Sequence, residues 1–297
     1  MEHAAAHEGT GETGERLGAT LYVVATPIGN LGDISRRALE ILGRVDAVAA
    51  EDTRVTGQLL AHYGISRRLI AVHEHNERRA VSQVLSVLGS GRSLALVCDA
   101  GTPGISDPGA VVVAAARAAG FPVAPVPGAN AAAAALSVSG FAAPHFLFYG
   151  FLPAKAALRR RALDALARLP YTLVFHEAPH RIQESVADLR AAFGAERRIV
   201  LARELTKLFE SVHACTLAEA QAWLEGDPKR RKGEFVLIVE GAGPEPEKDE
   251  GEARRVLETL LEELPLKQAV NLAARIAGAR KNELYQLALQ LKQSGER

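Results

Sequence analysis

Four stretches of this chain concentrate glycine, proline and small polar residues: 26–30 (TPIGN), 99–109 (DAGTPGISDPG), 127–130 (PGAN) and 176–181 (HEAPHR). The second spans eleven residues with three glycines and two prolines. Glycine lets a main chain approach a ligand closely and proline fixes its path, so such a loop can hold a small molecule through carbonyls and amides. A tight loop with no ligand has the same composition. Residues 26–33 (TPIGNLGD) match neither GxGxxG nor GxxxxGK[ST], so a nucleoside triphosphate cradle is unsupported there. The nucleophile elbow GxSxG does not occur.

Charged side chains gather at 51–54 (EDTR), 73–77 (HEHNE), 176–181 and 203–210 (RELTKLFE). His73 and His75, with Glu74 and Glu77, are metal-ligand types, yet alternate residues on a strand point to opposite faces and no distant fourth ligand is marked. A strand end that shows polar groups to a cleft accounts for the same cluster, and no metal is expected. Arg203 and Lys207 either make surface ion pairs or contact phosphate.

The elements that must position these segments follow from hydrophobic periodicity. Apolar, β-branched runs alternate with helical patterns from Leu21 to Glu240, as in βα units with a mostly parallel sheet. Strands are expected at 21–25, 45–50, 69–72, 93–97 and 123–126, and the helix after the first carries Ile34, Ala38, Ile41 and Leu42 at helical spacing. Two prolines and a glycine in 125–130 (PVPGAN) divide a first lobe, 20–126, from a second, 127–241. The second lobe is expected to hold strands at 145–149, 172–175, 199–202 and 235–239, a further extended stretch at 209–215, and helices at 156–169, 181–193 and 217–224. Ligands of open α/β sheets bind beyond the carboxyl ends of the strands, where the four loops fall.

Residues 242–252 combine Pro, Gly and acidic side chains and read as a solvated linker. The remainder, 253–297, has helical patterns at 254–263, 267–276 and 282–292, the last two joined at Gly278 as in a helix-turn-helix. From Leu266 onward six Lys/Arg stand against two Glu, although the formal net charge of the whole chain is zero. Any attraction to nucleic acid must therefore come from a local basic surface, and this one is either such a footprint or a solvated face. An apolar fraction of 48% with 24% charged residues describes a globular protein and excludes general disorder. Residues 1–19 lack the apolar run of a secretory signal and read as a disordered tail, and no stretch approaches the ~20 apolar residues that span a bilayer. Cys98 and Cys215, far apart and without ligand spacing, read as buried thiols of a cytoplasmic protein.

Taken in order, LYVVATPIGNLGDIS, EDTR, HEHNE, VCDAGTPGISDPG, VPGANAAAAALSVSG, FYGFLP, VFHEAPHRI and RELTKLFE closely resemble the ribosomal RNA small-subunit methyltransferase I family of the tetrapyrrole methylase superfamily, over about residues 20–290. The resemblance implies 2′-O-methylation of a cytidine in the decoding centre of 16S rRNA, with S-adenosylmethionine as donor. It also implies a two-lobed tetrapyrrole methylase-like α/β fold with the donor in the interlobe cleft, a helical RNA-binding tail, and a homodimer that acts on 16S rRNA or the 30S subunit.

Carried onto this sequence, the donor site takes Gly101, Thr102, Pro103, Ile105 and Ser106 from the long loop, and Asn130 and Ala131 from the second lobe. Phe175, His176 and Glu177, with Glu234 and Phe235, complete the adenine side. Tetrapyrrole-modifying relatives read GDP where this chain has Gly101, Thr102 and Pro103, which argues against a tetrapyrrole substrate. Attack by a ribose hydroxyl requires positioning first and a general base second. Glu51, Asp52, His73 and Glu177 are the base candidates, while Arg54, Arg181, Arg203 and Lys207 are available to hold phosphates. The loop ending at Asn30 and the EDTR turn are expected to face the nucleotide. A tetrapyrrole methyltransferase and a non-catalytic regulator using the helix-turn-helix are the competing readings.

Overall fold

A strand without a polar side must be covered on both faces, and the first lobe is built from such strands. The computed structural model describes residues 17–73, 76–106, 108–142, 144–243, 250–277 and 279–295. Its first part runs β1 (Leu21–Val24), α1 (Arg36–Arg44), β2 (Ala47–Ala50), α2 (Thr53–His62), β3 (Arg68–Ala71), α3 (Glu77–Gly89), β4 (Leu94–Val97), α4 (Ala110–Ala118) and β5 (Val123–Val126). The strands form one parallel sheet in the order β3-β2-β4-β1-β5.

Alternate strand residues serve opposite layers. Leu21, Ala47, Leu94 and Leu96 pack with Val84 and Leu88 of α3 and Val112 of α4. Val24, Val48, Ala95 and Val97 pack with Leu42 of α1 and Leu60 of α2, and Leu17 joins this layer from within the expected tail. The connection leaving β1 crosses to β2 on one side, while that leaving β4 crosses to β5 on the other. The neighbours β1 and β4 therefore flank a topological switch point, and the loops TPIGN and DAGTPG leave the sheet there.

The second lobe differs from expectation. It contains α5 (Ala131–Ser137), β6 (Phe146–Phe151), α6 (Ala156–Leu166), β7 (Thr172–Glu177), α7 (Ile182–Phe193), β8 (Arg198–Arg203), β9 (Ser211–Thr216), α8 (Leu217–Glu225) and β10 (Phe235–Val239). The sheet order is β6-β7-β10-β8-β9, but only β6 and β7 run parallel; the other three pairings are antiparallel. Only a short loop joins β8 to β9, whereas a parallel crossover needs a dozen or more residues, so a hairpin forms. Ala132 and Ala135 of α5 cover one face of this sheet against Val174, Val200 and Val236.

By internal contacts the chain forms two compact units, one reaching Asp164 and including Thr172–Glu240, the other comprising Ala165–Tyr171 and the chain from Gly241 onward. The second unit contains α9 (Glu250–Glu263), α10 (Leu266–Ala277) and α11 (Lys281–Gly295), closed around Leu257, Val270, Ala273 and Leu284. Most of the expected disordered tail and linker, together with Gly278, lies outside the described residues. Cys98 is buried as expected, but Cys215 is only partly so. Among the described residues no helix is long and apolar enough to cross a membrane.

A buried ion pair ties α6 to α7. Arg159 is 1% exposed, and its Nε donates to Asp188 at 2.7 Å while a second guanidinium nitrogen reaches Glu184 at 3.2 Å. Burial alone would raise the Asp188 carboxyl, but hydrogen bonds from Arg160 and Arg159 hold it below its ordinary value. Asp188→Ala leaves the buried guanidinium with only the exposed Glu184 carboxylate and should cost up to about 3–5 kcal/mol, read as a lower urea midpoint at pH 7. A lowered carboxyl contributes stability above its unfolded pKa and loses it as the pH falls through the folded value. The difference between wild type and variant should therefore persist down to about pH 5 and close below about pH 4.

Candidate functional site

The loops at the switch point are bound to one another before they meet any ligand. Thr26 and Gly101 exchange backbone hydrogen bonds at 2.8 and 3.1 Å, and the buried Thr26 hydroxyl donates to the Cys98 carbonyl at 3.1 Å. Gly101 adopts φ +88, a left-handed conformation that L side chains rarely take. Thr102 Oγ1 donates to the Ala129 carbonyl at 3.2 Å, which joins PGAN to the same framework. The Asp99 carboxylate accepts from the Asp52 amide at 3.0 Å, so the EDTR turn is attached as well.

Between these loops and the second sheet lies a cleft with two adjoining compartments. The narrower, about 340 Å³, is walled by Ala100 and Ser106 from the long loop, Ala131 from α5, and His176, Phe235 and Val236 from the sheet. The antiparallel register sets Phe235 opposite Glu177 and Val236 opposite His176, which brings two distant segments into one wall. The wider, about 510 Å³, is walled by Pro27, Gly29 and Leu31, by Asp99, and by Val55, Gln58, Leu59 and His62 on one face of α2. Ile28, Ala100, Lys207 and Glu234 line both.

Lys207 is the cationic member of that shared wall. Its ammonium donates to Glu204 at 3.0 Å and to Glu234 at 2.9 Å, and the Glu204 carboxylate also accepts from the Glu234 amide at 2.9 Å. Burial works against its charge, but these two carboxylates outweigh it and hold the lysine above its ordinary pKa. The side chain lies over the first lobe at Gly29, where an added Cβ would come within 2.5 Å of Lys207 Cγ. Its loop contains two non-glycine residues with positive φ, Glu204 at 51° and Thr206 at 66°. Such conformations persist only where surrounding contacts enforce them.

The other expected site residues divide by position. Ser106, Ala131, His176, Glu177, Glu234 and Phe235 line the narrow compartment. Gly101, Thr102 and Asn130 build its frame, Asn130 by capping α5 through the Ala133 amide at 3.0 Å. Phe175 is fully buried against Tyr149, while Pro103 and Ile105 do not line either compartment. Asn30 caps the short turn at Leu31–Asp33 by accepting from the Gly32 amide at 3.0 Å.

The base candidates are differently placed. Glu177 is 1% exposed and accepts from the Ala178 amide, the Ser185 hydroxyl and two guanidinium nitrogens of Arg181. Arg181 is thereby turned inward, with a further bond to the Leu152 carbonyl at 3.3 Å. Asp52 caps α2 and pairs with Arg54 at 2.6 Å; hydrogen bonds from Arg54 hold its pKa at about 2, so it is a weak proton acceptor. Glu51 accepts from the Asp99 amide at 3.4 Å. His73 lines neither compartment, and Glu74 and His75 lie outside the described residues. Arg203 is occupied by the carbonyls of Phe209 and Lys232 and by Ser211, and so ties the β8–β9 loop down.

Sequence reasoning missed Ile28, Ala100, His62 and Asp99 as wall residues. The spacing of Val55, Gln58, Leu59 and His62 marks one helical face, but nothing local says what that face meets. His176 stands between Phe148 and Phe151 at 5.1 and 5.4 Å, and burial pushes its pKa down against the opposing pull of Glu234. Its Nε2 is buried with no hydrogen-bond partner among the described residues. An apolar compartment with one unpaired nitrogen on its wall suits a flat heteroaromatic ligand carrying a donor, and the shared wall lets two bound molecules meet, as group transfer requires.

The family model of tetrapyrrole (corrin/porphyrin) methylases matches residues 20–221, and that of the RsmI C-terminal HTH domain matches residues 247–292. The ribosomal RNA small subunit methyltransferase I of Pseudomonas aeruginosa is 55% identical over 273 residues, covering 91% of this chain and 97% of that protein. The protein of the same name from Escherichia coli O157:H7 is 51% identical over 270 residues, covering 91% and 94%. Among solved structures, a uroporphyrin-III-C-methyltransferase from Thermus thermophilus superposes with a TM-score of 0.52 at 22% identity, covering 75% of this chain and 94% of that one, which supports the two-lobed fold. With half its residues shared along nearly the full length of these relatives, the chain belongs to the ribosomal RNA small subunit methyltransferase I family.

Proposed function

We propose that this chain transfers a methyl group from S-adenosylmethionine to the ribose 2′-oxygen of a cytidine in the decoding centre of 16S rRNA, working in the cytoplasm as a homodimer on the RNA or the 30S subunit. The observation that carries the reading is the pair of compartments meeting at one wall. The narrow one takes the donor, with His176 Nε2 accepting from the adenine amino group and Ala131 and Phe235 excluding water. The donor supplies an electrophilic methyl group on a sulfonium. The wider compartment takes the nucleotide, with Pro27 and Gly29 on one side and α2 on the other. On that wall Lys207 and Glu234 are paired with each other, and Asp52 and Glu177 are committed elsewhere, which leaves His62 and Asp99 to receive the hydroxyl proton. The names of the relatives and the matched C-terminal domain support an RNA substrate, and the basic tail offers it a further contact surface.

The direct test incubates tritium-labelled donor with 30S subunits and with naked 16S rRNA and analyses the digested nucleosides by mass spectrometry. Label is expected in 2′-O-methylcytidine; transfer to a tetrapyrrole with none to RNA would overturn the reading. The division of the cleft gives opposite expectations for two variants. Ala131→Trp overpacks the narrow compartment by about 1–3 kcal/mol and should weaken donor binding in calorimetry roughly 5- to 150-fold. Arg54→Ala, at an exposed position beside the wide compartment, should cut RNA methylation with donor affinity near wild type; equal loss of both rejects the division. Truncation after Glu252 should weaken RNA binding and flatten its salt dependence, and an unchanged salt slope would remove the tail from the RNA contact.

A further inference from the structure

Along α3 and the edge strand β3 runs a groove of about 260 Å³ bordered by Arg68, Arg79 and Arg92 with Ser82, Gln83 and Ser86. Each arginine has a separate structural reason to be there. Arg68 opens β3 and is held in register with Ala47 of β2. Arg79 lies in the first turn of α3, and with Ser82, Gln83 and Ser86 it forms the i, i+3, i+4, i+7 face turned away from the buried Ala80, Val84 and Val87. Arg92 follows Gly91, whose φ of +77 turns the chain into β4, and its Nε donates to Ser90 Oγ at 2.8 Å.

Among the described residues no carboxylate lines the groove, and Arg68 and Arg79 make no ion pair. Three guanidinium groups and three neutral polar side chains face one concavity in a chain whose formal net charge is zero. Such a local concentration of one sign focuses field on an anion, and the planar donor fork of arginine matches the oxygens of a phosphate. None of the groove's residues lines either compartment of the cleft.

We infer that this groove binds phosphate groups of the RNA substrate, as an anchor remote from the methyl-transfer cleft. The inference rests on the RNA reading above. A substrate as large as a folded ribosomal RNA extends well beyond a cleft sized for one nucleotide, and backbone contacts outside the cleft fix its register without reading its sequence.

The test replaces the three arginines together, Arg68→Gln, Arg79→Gln and Arg92→Gln, all at exposed positions. Anisotropy of a labelled 16S rRNA fragment is followed over a range of KCl concentrations for the whole chain. Each lost phosphate contact reduces the steepness of log K against log salt by about 0.7–0.9, so a fall of roughly two to three units is expected for three contacts, with a raised KM for RNA. The kcat and the donor affinity should be unchanged, and a triple Arg→Lys variant should keep most of the slope. An unchanged slope and KM overturn the inference. Calorimetry with pyrophosphate separates the two sources of phosphate: lost pyrophosphate binding with wild-type RNA affinity makes the groove a small-anion site and overturns the RNA assignment. Methyl transfer by the wild type is measured alongside, so that its absence counts against the proposed function while the anisotropy still decides the groove.

Discussion

The site depends on the reciprocal backbone pairing of Thr26 with Gly101, because it joins the two loops that leave the sheet at the switch point. Loops at strand ends are ordinarily the mobile part of an α/β fold. Here the TPIGN loop, the long loop, the PGAN segment and the EDTR turn are connected by hydrogen bonds that do not involve a ligand. The glycines serve this framework as much as any contact: Gly101 takes the left-handed conformation the bridge needs, and a Cβ on Gly128 would press within 3.0 Å of Ala25. The cleft walls are thus largely arranged in advance, which lowers the ordering cost of binding.

Charge in the cleft is organised by the same economy of partners. Glu177, Glu204 and Asp52 each hold neighbouring backbone amides as well as a cationic side chain. They are anchors for the β7 end, the β8–β9 loop and the start of α2. Lys207 and Glu234 are placed otherwise, on the wall shared by both compartments and against Gly29 of the opposite lobe. Their pairing lies within the second lobe, while the lysine side chain meets Gly29 of the first. The positive φ at Glu204 and Thr206 is consistent with a loop shaped to deliver that lysine rather than to satisfy its own backbone preferences.

Motif order carried the family, and the loops dense in glycine and proline do stand at strand ends. Individual roles were less legible. Glu177 and Arg181 are four residues apart and their pairing has a local logic, yet their inward turn depends on Ser185 and on the Leu152 carbonyl. Arg203 was legible only as either a surface ion pair or a phosphate contact, because nothing in RELTKLFE shows that the carbonyls of Phe209 and Lys232 will claim it.

The sequence by itself determined most of the strand and helix inventory, the βα units of the first lobe and the helical tail, because hydrophobic period and turn chemistry act over a few residues. The tertiary structure alone decided that the second sheet is mostly antiparallel, that Phe235 and Val236 stand beside Glu177 and His176, and that one face of α2 walls the wide compartment. Those facts arise from pairings between segments tens of residues apart. Strand order and register follow from how all the apolar faces are buried together, and no local pattern encodes that sum.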